Sequence, residues 1–300
     1  MSAKSNHHVI PQFVLRRFAD SANFTRQHSR EDNASFLIPV RHATAQTHLY
    51  TIDDKGEKSE VFENTLARFE DMGARAVGEI VDKKNWPLHV NNRTGLSAWM
   101  AAQYLRTPRS RKVLDSQMGA IREHMGTLQL ADVRRRLGGA FASEEVMRQK
   151  WSEVLDYYKP SGHQQPPNAQ ARWFASLISD AAKSLFYRDW VLVRYDTPSF
   201  IASDNLIIAL GADGRIHGVT DFLAAPQIFM PLDRWTAIVL LQTKADDESV
   251  RDVVAPQPPQ FAEQLNRFAA SNCDLAVFEH PDDALFPSFL DLPRVRFPTV

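Results

Sequence analysis

The chain has 300 residues, an apolar fraction of 44% and a formal net charge of -1. That length supports an ample core, and near-neutrality leaves no global field pulling the protein toward nucleic acid or an anionic membrane. Apolar runs such as Trp235 to Leu241 are too short to span a bilayer, "MSAKSNHH" lacks the apolar core of a signal peptide, and the one cysteine, Cys273, excludes an internal disulfide or a cysteine-rich zinc site. The expectation is a soluble cytoplasmic protein without membrane contact.

The first segment, "SNHHVIPQFVLRRFAD" (Ser5 to Asp20), places two histidines ahead of Phe13, Leu15 and Phe18. These apolar residues can anchor it against the body as a strap that fixes the imidazoles, with Pro11 stiffening the approach. "SFLIPV" (Ser35 to Val40) and "THLYTI" (Thr47 to Ile52) read as a strand pair, the second closed by "DDKG". From Glu60 to about Lys83, Phe62, Leu66, Phe69, Ala76 and Ile80 recur at helical spacing, and "NWP" ends the run. Asn92 or Thr94 can cap a second helix with a stripe of Leu96, Trp99, Met100 and Gln103, which Pro108 interrupts or ends.

A charged helix is expected from Arg109 to Leu137, breaking at Gly138-Gly139, then another from Ser143 to about Tyr158. "KPSGHQQPPN" (Lys159 to Asn168) is a connector, followed by a helix from Asn168 or Ala169 to Leu185. Strands then dominate: "DWVLVRY", "SFIAS", "LIIAL", "QIFMPL" and "TAIVLL", with a helix at Leu265 to Ser271 and a last strand in "DLAVFE". Strands, a helical block and strands again predict an α+β fold with a C-terminal, mainly antiparallel sheet. The expectation is a single domain over 1–300, helix-rich at about 60–187 and sheet-rich at about 188–300, because the early strand pair needs a sheet partner.

Polar residues at positions the periodicity marks as buried carry the functional signal. Gln103 continues an apolar stripe, and burying an amide without partners costs about 1–3 kcal/mol, so a partner is expected. Arg106 lies three residues on, on the same face, with Arg109 a further turn along. Glu63 and Glu70 lie two turns apart on one face of the first helix. They either form ion pairs at an exposed edge, with Arg68 and Arg75 to hand, or present two carboxylates to a cleft. Ser203-Asp204-Asn205 interrupts two apolar segments, either as a turn or to hold Asp204 at the end of a strand as a site residue. His7 and His8 project in different directions, so one can bind a metal or act as a base while the other makes a structural hydrogen bond.

In order, "HHVIPQFVLRRFA", "ENTLARFED", "AAQYLRTPRSR", "WVLVRYDTPSFIASDNLII", "IFMPLDRWTAIVLL" and "LNRFAASNCDLAVFE" resemble a bacterial family, domain of unknown function four-two-three-eight, from about His7 to about Leu290. Leu206 stands where the family has proline, and Asp233 where Pro-Leu-Ser is expected. The resemblance implies a stand-alone cytoplasmic protein of one domain with no activity assigned. It also implies that His7, His8, Gln12, Glu63, Glu70, Gln103, Arg106, Asp204 and Asn205 are recurring polar positions that share a site.

Three functions fit these residues. The first is a metal-dependent hydrolase acting on a phosphodiester or other anion, in which Glu63, Glu70 and Asp204 hold manganese, magnesium or zinc. There His7, His8 and Asp204 do the chemistry, while Gln12, Gln103, Arg106 and Asn205 bind substrate. The second is a sensor or binding module for a small anionic ligand, whose carboxylates brace the arginines. The third is a structural network in which the polar residues satisfy one another. Nucleic acid is a further candidate partner, and the oligomeric state is not legible. No phosphate-binding loop, dinucleotide fingerprint or nucleophile elbow is present, so no nucleotide cofactor is indicated. Cys273 reads as a buried structural thiol.

Overall fold

A computed structural model describes residues 6–47, 60–110, 167–218, 221–243 and 252–292, with isolated positions between 111 and 153. Side chains are described within these ranges except at 6–8, 45–47, 60–64 and 167–175. The expected helices within 111–158, the break at Gly138-Gly139, the connector and most of "THLYTI" lie outside the described residues.

The chain opens with β1 (Asn6–His8) and a short helix α1 (Gln12–Leu15) that runs into a 3-10 turn at Arg16–Phe18. Next come β2 (Phe24–Ser29), β3 (Ser35–Pro39) and β4 (Ala45–Thr47). Two long helices follow, α2 (Glu60–Val81) and α3 (Val90–Leu105), then α4 (Pro167–Phe186). The second half holds β5 (Asp189–Arg194), β6 (Ala202–Ser203), β7 (Ile208–Leu210), β8 (Gln227–Pro231), β9 (Thr236–Leu241) and β10 (Asp252–Val254). Helix α5 (Pro259–Asn272) and β11 (Ala276–Glu279) complete it. The fold is α+β.

The strands form a five-stranded sheet ordered β10-β5-β9-β8-β7, a four-stranded sheet ordered β3-β2-β11-β6, and the pair β1-β4. All pairings are antiparallel except that of β10 with β5. The five-stranded sheet is covered on both faces. Leu192, Ile228, Met230, Ile238 and Leu240 join the helices in one core cluster. Their alternates Val193, Phe229, Ala237 and Val239 join α5 and Val277 in a second. Double burial is why "TAIVLL" reads as an unbroken apolar run instead of an alternating one.

β3 lies against β2, a strand whose polar sequence "FTRQHS" gave no strand signal, while β4 lies against β1. β2 is held from the far end of the chain. Thr25 Oγ1 donates to the Glu279 carbonyl at 3.0 Å, and His28 Nε2 lies 2.8 Å from Glu279 Oε1. The other Glu279 oxygen accepts the backbone N–H groups of Leu285 (2.8 Å) and Phe286 (3.1 Å). Edge strand β10 also lacked a signal, and Leu265 to Ser271 lies within α5 as expected.

One boundary is corrected, and the break expected at Pro108 is present. His89, not Asn92 or Thr94, caps α3, its Nδ1 accepting from Asn91 N at 3.3 Å. After Leu105 the helix stops, and a new turn starts at Pro108 with Thr107 Oγ1 accepting from Ser110 N at 3.2 Å. Threonine before proline is a favourable helix start, because proline at the first position forfeits no intrahelical bond. The departures at Leu206 and Asp233 are absorbed locally. Leu206 is buried in the core, and Asp233 Oδ1 accepts the Trp235 and Thr236 N–H groups at 2.9 and 2.6 Å, closing the β8–β9 turn.

The strap is anchored as its apolar residues require: Leu15 and Phe18 are fully buried, and Phe13 packs on Trp99 with ring centroids 5.1 Å apart. Trp99 in turn occupies the space that a side chain on Gly73 of α2 would need, since a Cβ there would lie within 3.0 Å of its Cγ, Cδ2 and Cβ atoms. Gly73→Ala is therefore expected to destabilise the fold by about 1–3 kcal/mol through overpacking, although alanine gains about 1 kcal/mol in helix propensity. Urea unfolding of wild type and variant measures the difference.

Candidate functional site

The carbonyl of Val9, directly after His8, is where the strap meets the helices. It accepts Gln103 Nε2 at 2.8 Å and Arg106 Nη2 at 3.1 Å. Arg106 Nη1 also pairs with Glu70 Oε1, so one guanidinium joins strap, α2 and the end of α3. Glu70 thus takes a partner 36 residues away instead of Arg68 or Arg75. The backbone of His7 and His8 pairs with Gln46 and Ala45. The side chains of His7, His8 and Glu63 lie outside the described residues. Gln12 Oε1 accepts at 2.9 Å from Nη2 of Arg16, which opens the 3-10 turn after α1.

The Ser203-Asp204-Asn205 corner is not a hairpin. It is where the chain leaves β6 of the four-stranded sheet and enters the five-stranded sheet at β7. Asp204, 3% exposed, turns both oxygens to backbone: Oδ1 accepts Asp274 N at 3.0 Å, and Oδ2 accepts Leu275 N at 2.8 Å. Burial, then the neighbouring Asp274 carboxylate, push its pKa up to about 7, opposed by those N–H groups and Arg109. Asn205 Nδ2 donates to the Asn272 carbonyl at 2.9 Å and to Asp274 Oδ2 at 3.0 Å. Arg109 closes the group, donating from Nη1 to Asn272 Oδ1 at 2.7 Å and from Nε to Asp274 Oδ2 at 3.1 Å. Asp204 staples the corner from behind, and Asn205 faces forward.

In front of the corner lies an open-mouthed cleft of about 360 Å³, solvent at the mouth included. Gln103, Tyr104, Arg109, Asn205, His217 and Asn272 contribute its polar wall. Gln103 therefore belongs both to the strap contact and to this cleft, and it is the residue through which the two halves of the sequence-predicted site meet. Asp204, Glu70, Arg106 and Gln12 are not in the wall. The Tyr104 ring is stacked on Phe222, centroids 3.7 Å apart, and burial raises its phenol pKa. The loop carrying Phe222 is held by Arg188, whose Nη1 and Nη2 donate to the carbonyls of Ala225 (2.7 Å) and Leu223 (2.8 Å). His217 reaches the cleft because residue 211 is glycine. A Cβ there would lie within 3.0 Å of its Nε2.

Sequence reasoning missed Tyr104, His217, Asn272 and Asp274 as wall or support residues. "SNCDL" held the signal for the last two, as polar residues at the junction of helix and strand. Nothing local marks His217. Among the described residues no group of three or more histidine, cysteine, aspartate or glutamate side chains is placed to hold a metal ion. Among them, too, no helix is long and apolar enough to cross a membrane.

A family model described as protein of unknown function (DUF4238) matches residues 6–283. The chain belongs to the DUF4238 family. The matched span takes in the strap, the cleft and the corner. Neither the curated proteins nor the solved structures include a significant match.

Because the pKa of Asp204 is higher folded than unfolded, the folded state binds the extra proton. Its stabilisation is complete below the ordinary aspartate pKa of about 4 and is lost as pH rises through about 7. Urea midpoints should fall between about pH 5 and about pH 8 in the wild type, and Asp204→Asn should flatten that slope. The variant should also lose about 1–3 kcal/mol at neutral pH, because its amide NH2 confronts a backbone N–H.

Proposed function

We propose that this DUF4238 protein binds a small anionic ligand in the cleft beside Asn205, as a binding or sensor module. The observation that carries this reading is the composition of the wall. It holds a guanidinium, Arg109, an imidazole, His217, and three amides, with no carboxylate among the described lining residues. The acids sit behind it and brace the arginines, Asp274 on Arg109 and Glu70 on Arg106. A guanidinium fixed in advance loses less freedom when an anion arrives. A cytoplasmic setting belongs to the same proposal, supported by the buried thiol of Cys273, the one cysteine of the chain.

A metal-dependent hydrolase is the second reading, favoured by the path of the strap. Gln103 and Arg106 grip the residue after His8, so the histidine backbone lies next to the Arg106–Glu70 pair. Manganese, magnesium or zinc would then be held by His7 or His8 with Glu63 and Glu70, and would activate water toward a phosphodiester. The fit is incomplete, since Glu70 would have to leave Arg106 and the oxygens of Asp204 already accept backbone N–H groups.

Thermal unfolding with inorganic phosphate, methyl phosphate and acetate, each with and without the three metals, separates the readings. A ligand at 100 times its dissociation constant stabilises the fold by about 2.7 kcal/mol. Binding should weaken about tenfold or more in His217→Ala, which removes the imidazole from the wall. No shift with any anion overturns the binding reading. Metal-dependent stabilisation, with cleavage of bis(p-nitrophenyl) phosphate abolished by His8→Ala, establishes the hydrolase instead.

A further inference from the structure

We propose that Gln103 is the specificity-determining residue of the cleft: its Oε1 accepts a hydrogen bond from the ligand, which restricts the ligands to small anions that also carry an O–H or N–H donor. The inference rests on the anion-binding reading and deepens it.

Gln103 is 1% exposed and lines the cleft. Its Nε2 donates to the Val9 carbonyl, which fixes the orientation of the amide, because a flip would set oxygen against oxygen. Its Oε1 is buried and has no hydrogen-bond partner among the described residues. The hydroxyls nearby are engaged elsewhere: Ser110 Oγ donates to the Tyr104 carbonyl at 2.7 Å, and Thr107 Oγ1 lies 2.8 Å from Ser110 Oγ. A residue of the wall thus carries a desolvated acceptor that the described residues leave unmatched. A site built around such an acceptor rejects an analogue lacking the donor far more strongly than it rejects a change of bulk, because the analogue leaves the acceptor unpaired.

Isothermal titration of the full chain with two matched pairs tests this. Glycerol 3-phosphate is compared with propyl phosphate, and lactate with propionate. The donor-bearing member of a pair is expected to bind about tenfold or more tightly, the worth of one buried hydrogen bond. Gln103→Met should erase that preference while the donor-free anion still binds. The wild-type ratio decides the matter even if the variant fails to fold. Equal affinities within both pairs mean that only water meets Oε1, and overturn this assignment while leaving the anion site standing. If no member of either pair binds, the anion reading itself falls, and this inference with it.

Discussion

Buried guanidinium groups carry five N–H donors in a fixed plane, and each donor left unmatched is costly. Three arginines on or just beyond α3 impose that demand on the surrounding fold. Arg93 donates from Nε to the Phe186 carbonyl at 3.0 Å and from Nη2 to that of Arg188 at 2.6 Å, pairs with Asp252 of β10, and lies 4.4 Å from the Trp190 ring. Arg106 takes the strap and α2, and Arg109 takes the end of α5 and Asp274. One helix thereby fixes the positions of segments from the beginning, middle and end of the chain. Removing either partner of such a pair strands a charge, so these contacts define the arrangement more than they add net stability.

The cleft inherits its order from that arrangement. Its wall is built from the end of α3 and the turn after it, the corner between the two sheets, the end of α5, and the loop around His217. Asp204 secures the corner from outside the cleft through the backbone of residues 274 and 275, Gly211 makes room for the imidazole, and Thr107 caps the turn from within the wall.

The helices and the central sheet were legible because burial leaves a period in the sequence: the stripe of Leu96, Trp99 and Met100, and unbroken apolar runs where both sheet faces are covered. Gln103 was legible for the same reason, as a break in a period. Strand partners were not. β2 pairs with β11, about 250 residues later, and alternation within a strand says nothing about which distant strand completes its ladder. Its polar sequence also hid β2, which takes its place through contacts with Glu279 and not through an apolar face. His217 was illegible because its position depends on the missing side chain at residue 211.

The carboxamide of Gln103 has two ends, and one is committed to the start of the chain. Hydrogen bonds through a shared planar group polarise one another, so an occupant donating to the oxygen would make the NH2 a stronger donor to Val9. By thermodynamic reciprocity, whatever loosens the first few residues would lower affinity in the cleft by the same factor. Cutting or pulling away the amino-terminal tail would then be felt as release of the ligand.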